Sequence, residues 1–532
     1  MKIQTLQGIN LENDVTTVKI TFDKKIENGI IEEIKSFHPI FLKSYIQKEN
    51  LLEIVTKLPF LWEEIAEILN EKIDERELVL EKIKRHIKSM STISVLHEID
   101  KMNEEITPFL QKEEAFHNFG NQKFNRQYCI GCGKNSAVTV SFSTSKDSQL
   151  AKEIQRDKYL TNILLDRLGI QTALWENIES EEHLKKIFGK YKTPLVIKPT
   201  SLTGGKGVHT NIKTLDDALK AYKEIKEITD NKRNQTIIQE QIAGEDYRLL
   251  VINGKLEATT KRIPAFIIGN GALTVKELVE ETNKDPRRNI YNPTHILKPI
   301  IIDKALTEFL TEQGLNLEYI PKKSEKVFVR KVASMSQGGI TQDFTEKTHK
   351  NIKYISESIA QTLKAYVLGI DVICKDISKP LSPENGGIIE VNTMPEAYLN
   401  MFPVLGPQRP QIAKKFIDGL LDQSTTKTVA IGGTLEDIKK IARQFKGNTG
   451  IYSNKATYIN GELVKKNLTT DKAIQSLKIN AYLDNLLFHY TYEEAENFGF
   501  GFDKINTLFI KKDISCKIRK FSTKLVNNIK EF

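Results

Sequence analysis

The sequence predicts an α+β chain built from several units, and three observations carry that expectation. β-rich runs ending in polar residues recur near 195–198, 369–374 and 387–392, and a loop with three glycines follows the first of them. A long stretch before residue 90 repeats apolar residues at helical spacing. At 532 residues the chain has room for domains of ~100–200 residues each, about three of them.

Taken in order, Val18-Lys-Ile-Thr-Phe22 alternates apolar and polar residues, the period of a half-buried strand. From Leu51 to about Met90 the chain reads as helical, with Ile65, Ile68, Leu69, Ile73, Leu80, Ile83 and Ile87 on one face. Pro59 should interrupt or start a helix there. His86, His97 and His117 lack metal-ligand spacing and read as ordinary histidines. Cys129-Ile-Gly-Cys132 suggests zinc or redox chemistry, but zinc needs four ligands and Cys374 and Cys516 lie far away. The following Ala137-Val-Thr-Val-Ser-Phe142 reads as a strand, whereas a thioredoxin-type pair opens a helix. A helix is expected over about 148–168 and a strand over Thr236–Ile242.

Two stretches carry chemistry. In Leu195-Val-Ile-Lys198-Pro-Thr-Ser-Leu-Thr-Gly204-Gly205-Lys206-Gly207 the glycines let backbone N–H groups converge on phosphate oxygens, and Lys198 and Lys206 add positive charge. This is neither a Walker P-loop nor GxGxxG. Downstream, Asp371 stands in one β-rich run, while Glu390 and Asn392 stand two apart in the next and so point to the same side. These three can share magnesium ions. An all-oxygen set without His or Cys suits a hard cation that binds phosphate oxygens on its other side.

Composition bounds the remaining possibilities. Apolar residues make up 39% and charged residues 28%, as in soluble globular proteins. The net charge of +9 comes from lysines spread among glutamates, with no basic run interleaved with aromatics, so no nucleic-acid partner is expected. No apolar run approaches the ~18 residues of a membrane span, and the first residues lack a signal-peptide core. A cytoplasmic chain with reduced cysteines follows.

The order Lys158, Lys198, glycine loop, Asp246, Asp371, Glu390-x-Asn392 resembles the ATP-grasp ligases, such as D-alanine ligase and glutathione synthetase. Within them, Gly244-Glu-Asp-Tyr-Arg-Leu-Leu-Val, Ile267-Ile-Gly-Asn-Gly, Asp285-Pro-Arg-Arg288, Ser336-Gln-Gly-Gly339, Gly369-Ile-Asp-Val-Ile-Cys and Ile389-Glu-Val-Asn392 look like cyanophycin synthetase. The resemblance is strong over roughly 155–420. Phe119-Gly-Asn-Gln-Lys-Phe-Asn-Arg126 resembles the motif before that family's ATP-grasp core. It implies an ATP-grasp core at 153–424, a shortened N-terminal domain at 1–152 that helps bind polymer, and a degenerate Mur-ligase-like module at 425–532.

The resemblance also implies roles. Lys158 and Lys198 become phosphate ligands, and ATP with magnesium becomes the cofactor set. The C=O of Glu240 and N–H of Ile242 would face the adenine, beside Gln239 where the family usually has glutamate, and Asp246 would accept from the ribose. Arg248, Lys261, Arg262 and Arg330 match positions near the γ-phosphate and the reacting carboxylate, where cations offset the repulsion between two anions. After the metal strand the chain has Pro395-Glu-Ala-Tyr-Leu-Asn400 where those relatives usually run Pro-Gly-Leu-Arg-Met-His. If that loop touches substrate, the site favours something other than plain aspartate.

In the tail, Gly432-Gly-Thr-Leu-Glu-Asp437 stands where cyanophycin synthetase has a second P-loop, and no lysine follows the glycines. The expectation is therefore one ATP-dependent carboxylate-amine ligation, with a unit such as β-aspartyl-arginine as substrate, in a homo-oligomer (dimer or tetramer). A small-peptide ligase of the glutathione or D-alanine kind is the competing enzyme, and an ATP-binding scaffold without turnover the non-enzymatic alternative.

Overall fold

The computed structural model describes residues 1–37, 42–71, 76–77, 80, 94–95, 98–99, 101–102, 104–110, 127–140, 142–202, 206–229, 235–289, 296–393, 395–513, 526 and 528–532. The segment 119–126, the three histidines 86, 97 and 117, Cys516 and the glycines Gly204 and Gly205 lie outside them. The chain forms two compact units. One joins 1–145 with 413–532, and the other comprises 146–290 and 295–412. The division at 152 and 424 remains a proposal.

Besides the antiparallel pair Phe266–Ile268 and Lys326–Phe328, the described residues of the second unit form two larger sheets. In the smaller, the strands run in the order His209–Ile212, Leu195–Pro199, Thr236–Glu240, Trp175–Ile178, all antiparallel. Leu195, Ile197, Ile238 and Ile178 bury against Ala218, Ala221, Tyr222 and Ile225 of the helix Leu215–Ile228. Alternation then turns Lys198 and Gln239 to the opposite face. The larger sheet has the order Ile340–Asp343, Lys255–Ile263, Glu245–Ile252, Val367–Cys374, Gly386–Asn392, again antiparallel. Tyr247, Leu249, Val251, Leu368, Ile370 and Val372 form its apolar side and pack with Ile352, Ile359 and Leu363 of the helix Lys350–Leu363. Every other residue of the two central strands, including Arg248 and Asp371, faces away from that core.

The first unit opens with an antiparallel sheet ordered Lys2–Leu6, Thr17–Thr21, Leu51–Val55, Ser44–Lys48. The expected helix from Leu51 is corrected here. Leu52 and Ile54 are fully buried while Leu51 and Glu53 are not, a period of two, and the helix begins only at Pro59 and runs to Glu71. Cys129 and Cys132 lie in the strand Gln127–Cys132, where burial pushes their thiols up to about 11 and about 12. Thiols held so far from ionisation are poor nucleophiles.

Residues 426–531 form a seven-stranded sheet, with Thr426–Ile431, Thr449–Ser453, Asn485–Tyr490, Thr507–Ile510 and Ile529–Glu531 parallel. Ile9 and Cys132 enter its core beside Val429, Phe488 and Leu508, which ties the N-terminal segment to the tail. A buried ion cluster adds to that tie. Glu105 accepts from Lys478 Nζ at 2.8 Å and from the Asp503 N–H at 2.8 Å, with Lys427 Nζ at 3.5 Å. Burial alone would raise the Glu105 carboxyl, but the two lysines hold it below the usual range. Among the described residues no helix is long and apolar enough to cross a membrane.

Candidate active site

The side of the larger sheet away from that core carries one transverse row of polar side chains. Directly opposite partners run Asp343, Thr260, Arg248, Asp371, Glu390 across all five strands. Such partners share a face, so the fold alone sets Arg248, Asp371 and Glu390 side by side. Asp246 and Arg262 face each other one pair further along, and Asn392 lies opposite Gly369.

Two guanidinium groups converge on Asp371, which is 3% exposed. Arg248 donates from Nε to Oδ1 and from Nη2 to Oδ2, the latter at 3.1 Å. Arg262 Nη2 lies 3.1 Å from Oδ2 and also donates to Asp246 Oδ1 at 2.6 Å. Burial would raise the Asp371 carboxyl, but the two arginines outweigh it and hold the group below the ordinary carboxylate range. Asp246 bears the opposite outcome. Burial pushes it up to about 6 despite Arg262, and the charge of Asp371 adds to the rise. Gly369 leaves the path of Arg248 open, since a Cβ there would lie 3.3 Å from Arg248 Cδ and 2.8 Å from Pro395 Cβ.

Lys158 begins the helix Lys158–Arg167, whose N-cap is Asp157. Its Nζ donates to Leu202 C=O at 2.7 Å and lies 3.9 Å from Glu390 Oε1. Lys198 is buried in its strand, and burial followed by the charge of Lys158 pushes its ammonium down to about 8, against the pull of Glu390. Lys158, Lys198, Arg248 and Arg262 thus set four cations against the three carboxylates Asp246, Asp371 and Glu390. That excess suits a polyanion.

The oxygen set at Asp371, Glu390 and Asn392 fits a hard cation. Asn392 Nδ2 is buried without a hydrogen-bond partner. Among the described residues no cluster of three or more His, Cys, Asp and Glu could hold a metal alone. A cation here would complete its shell with phosphate oxygens and water.

At the expected hinge, Gln239 is buried, Glu240 N–H donates to Leu174 C=O, and Gln241 N–H donates to Pro194 C=O. Lys206 and Gly207 follow the glycine pair, with Gly207 at φ +69°, where glycine is favoured. Ile242 follows the hinge strand, partly buried.

Four of the residues singled out in the sequence take partners within the protein. Asp246 accepts from Arg262 and so joins the acid–arginine cluster. Lys261 falls on the other side of its strand, opposite Tyr247, and pairs with Glu245 at 3.0 Å. Arg330 donates from Nη1 and Nη2 to Asp303 at 2.8 and 3.0 Å and from Nη2 to Ile301 C=O at 2.6 Å, at the start of the helix Lys304–Glu312, while its buried Nε has no hydrogen-bond partner. Asn400 is fully buried and donates to Arg248 C=O and Thr260 Oγ1, so it does not reach a substrate. Asp343, held by Arg409 at 2.8 and 2.9 Å, ends the row and went unnoticed in the sequence.

The turn at Gly432–Thr434 is closed by its own side chains. Asp437 accepts from the Thr434 N–H at 3.0 Å and from its hydroxyl at 2.8 Å, and the ring of Phe532 lies against Gly433.

Residues 156–262 match the family described as phosphoribosylglycinamide synthetase, ATP-grasp (A) domain. The cyanophycin synthetase of Synechocystis sp. is 32% identical over 349 residues, 63% of this chain and 39% of that protein. The glutathione biosynthesis bifunctional protein GshAB of Clostridium perfringens is 33% identical over 286 residues, 54% of this chain and 36% of that protein. A solved bifunctional glutathione synthetase from Pasteurella multocida is 24% identical, covering 66% of this chain and 47% of that one, with a TM-score of 0.49. The chain spans less than half the length of these relatives.

Proposed function

We propose that this chain, cyanophycin synthetase-like in its ATP-grasp region, joins a carboxylate to an amine at the expense of ATP through an acyl phosphate. The observation that carries the reading is the convergence of Arg248, Arg262, Asp371 and Glu390 on one sheet face, with Lys158 and Lys198 beside Glu390. Phosphoryl transfer to a carboxylate brings two anions together, so catalysis here is positioning and charge neutralisation. Lys158 and Lys198 hold the phosphates. Arg262, fixed between Asp246 and Asp371, and Arg248 are placed to stabilise charge on the transferring group and on the tetrahedral oxyanion of amine attack. Asp371, Glu390 and Asn392 would hold magnesium, which supplies charge neutralisation to the phosphate oxygens when bound.

The substrate belongs to the same proposal. A peptide unit such as β-aspartyl-arginine fits a chain with one working site, because the turn at Gly432–Thr434 has no lysine after its glycines and its Thr434 N–H is taken by Asp437. The similarity to GshAB supports a second reading, a short-peptide ligase acting on free amino acids. A cytoplasmic homo-oligomer, dimer or tetramer, completes the proposal and is checked by light scattering.

The test is phosphate release and product mass with ATP, magnesium and three substrate sets: β-aspartyl-arginine, aspartate plus arginine, and pooled small amino acids. The reading expects ADP and product with the dipeptide alone. An alternating polymer from the separate amino acids would contradict the single site, and no ADP from any set would contradict the ligase.

A further inference from the structure

We infer that Asn400 is a positioning residue for the acid–arginine row and acts through Arg248. The inference rests on the amide-ligase reading. Asn400 follows the metal strand in the short helix Tyr398–Met401 and is fully buried. Its Nδ2 donates to Arg248 C=O at 3.0 Å and to Thr260 Oγ1 at 2.9 Å. Arg248 and Thr260 are direct cross-strand partners, so one amide clamps two strands at the row that carries Asp371 and Glu390.

Packing does not explain the amide. Its Oδ1 is buried without a hydrogen-bond partner, a state that costs about 1–3 kcal/mol and that a leucine of similar shape would avoid. What leucine would lose is both donors to the row. Pro395, at the head of the same loop, lies against Gly369 where the Arg248 side chain crosses it. Arg248 is therefore fixed at its backbone by Asn400, along its stem by Gly369 and at its tip by Asp371. A slip of the first contact moves the guanidinium and the metal carboxylate together.

The experiment compares wild type, Asn400→Leu, Arg248→Lys and the double variant. Turnover is read on whichever substrate wild type accepts, together with melting temperature and ATP affinity by calorimetry with and without magnesium. Asn400→Leu is expected to lower kcat about 10- to 100-fold, with ATP affinity in the absence of magnesium within about threefold of wild type and an unchanged melting temperature. In the Arg248→Lys background it should add little, because both act on one guanidinium. It should also remove most of the gain in ATP affinity that magnesium gives, a readout that needs no turnover. A wild-type kcat in Asn400→Leu, losses that multiply in the double variant, or an unchanged magnesium effect would overturn the inference. Absence of turnover in wild type would instead count against the ligase reading, and the magnesium effect would still decide the role of Asn400.

Discussion

Replacing Lys198 with methionine should make the nucleotide-free protein more stable while removing most of its affinity for ATP. Lys198 is buried, and its ammonium sits at about 8 where 10.5 is ordinary, because burial and then Lys158 disfavour the charge. At ~1.4 kcal/mol per tenfold change in proton affinity, keeping this charge in the fold costs roughly 3 kcal/mol at neutral pH. The sign follows from linkage. The folded state holds fewer protons than the unfolded one between pH 8 and 10.5, so wild type gains stability as pH rises through that window and carries the full cost below it. Methionine fills similar space without the charge. Glu390, whose charge favours the ammonium, is 31% exposed and keeps its contact with Lys158. The expected gain is up to about 3 kcal/mol, or ~2–4 °C per kcal/mol for a domain of this size. The loss of a buried cation from a phosphate site should weaken ATP by about 2–5 kcal/mol, at least ~30-fold. Thermal melts at pH 7.5 without nucleotide, and calorimetry with magnesium and ATP, read both quantities. A variant that melts lower than wild type and binds ATP within threefold would refute the reasoning.

Three other variants follow from the structure. Asp246→Asn removes a carboxyl raised to about 6, whose contribution to wild-type stability is present at low pH and lost as pH rises toward 6. Melts at pH 4 and pH 7 should show the variant gaining up to about 3 kcal/mol relative to wild type between them. Glu105→Gln leaves Lys478 and Lys427 buried without their shared counter-charge, and should cost the 1–145 and 413–532 unit about 3–5 kcal/mol in denaturant unfolding. Changing Glu436 and Asp437 together to alanine removes a capping-box partner, with a cost of roughly 0.5–1 kcal/mol, and should leave turnover at the wild-type rate in a steady-state assay.

What the sequence made legible was local chemistry. The spacing of Glu390 and Asn392 on a β-rich run sets them on one side through backbone geometry, and Asp371, Glu390 and Asn392 do share a face. Cross-strand register was not legible. Nothing in Lys261-Arg262 tells which of two adjacent cations faces the site, because a strand of unknown register can present either. Arg330 illustrates the same limit, since its partner Asp303 lies 27 residues earlier and only the fold joins them. The stretch from Leu51 mixed a short strand with a helix, and the later helical spacing masked the alternation of Leu52 and Ile54. Asn400 was visible as an exception in an apolar run, but a polar residue in a loop after a metal strand invites a substrate role until its burial is known.

The chemistry at Asp371 and Glu390 is tested by following oxygen. With the accepted carboxylate substrate labelled with oxygen-18 at its reacting carboxyl, each amide bond formed through an acyl phosphate transfers one labelled oxygen to inorganic phosphate. Mass spectrometry of the phosphate should therefore show one label per ADP released in wild type, and no labelled phosphate with Glu390→Gln. Phosphate without label, label appearing in AMP, or labelled phosphate persisting after loss of Glu390 would contradict an acyl phosphate made at this site.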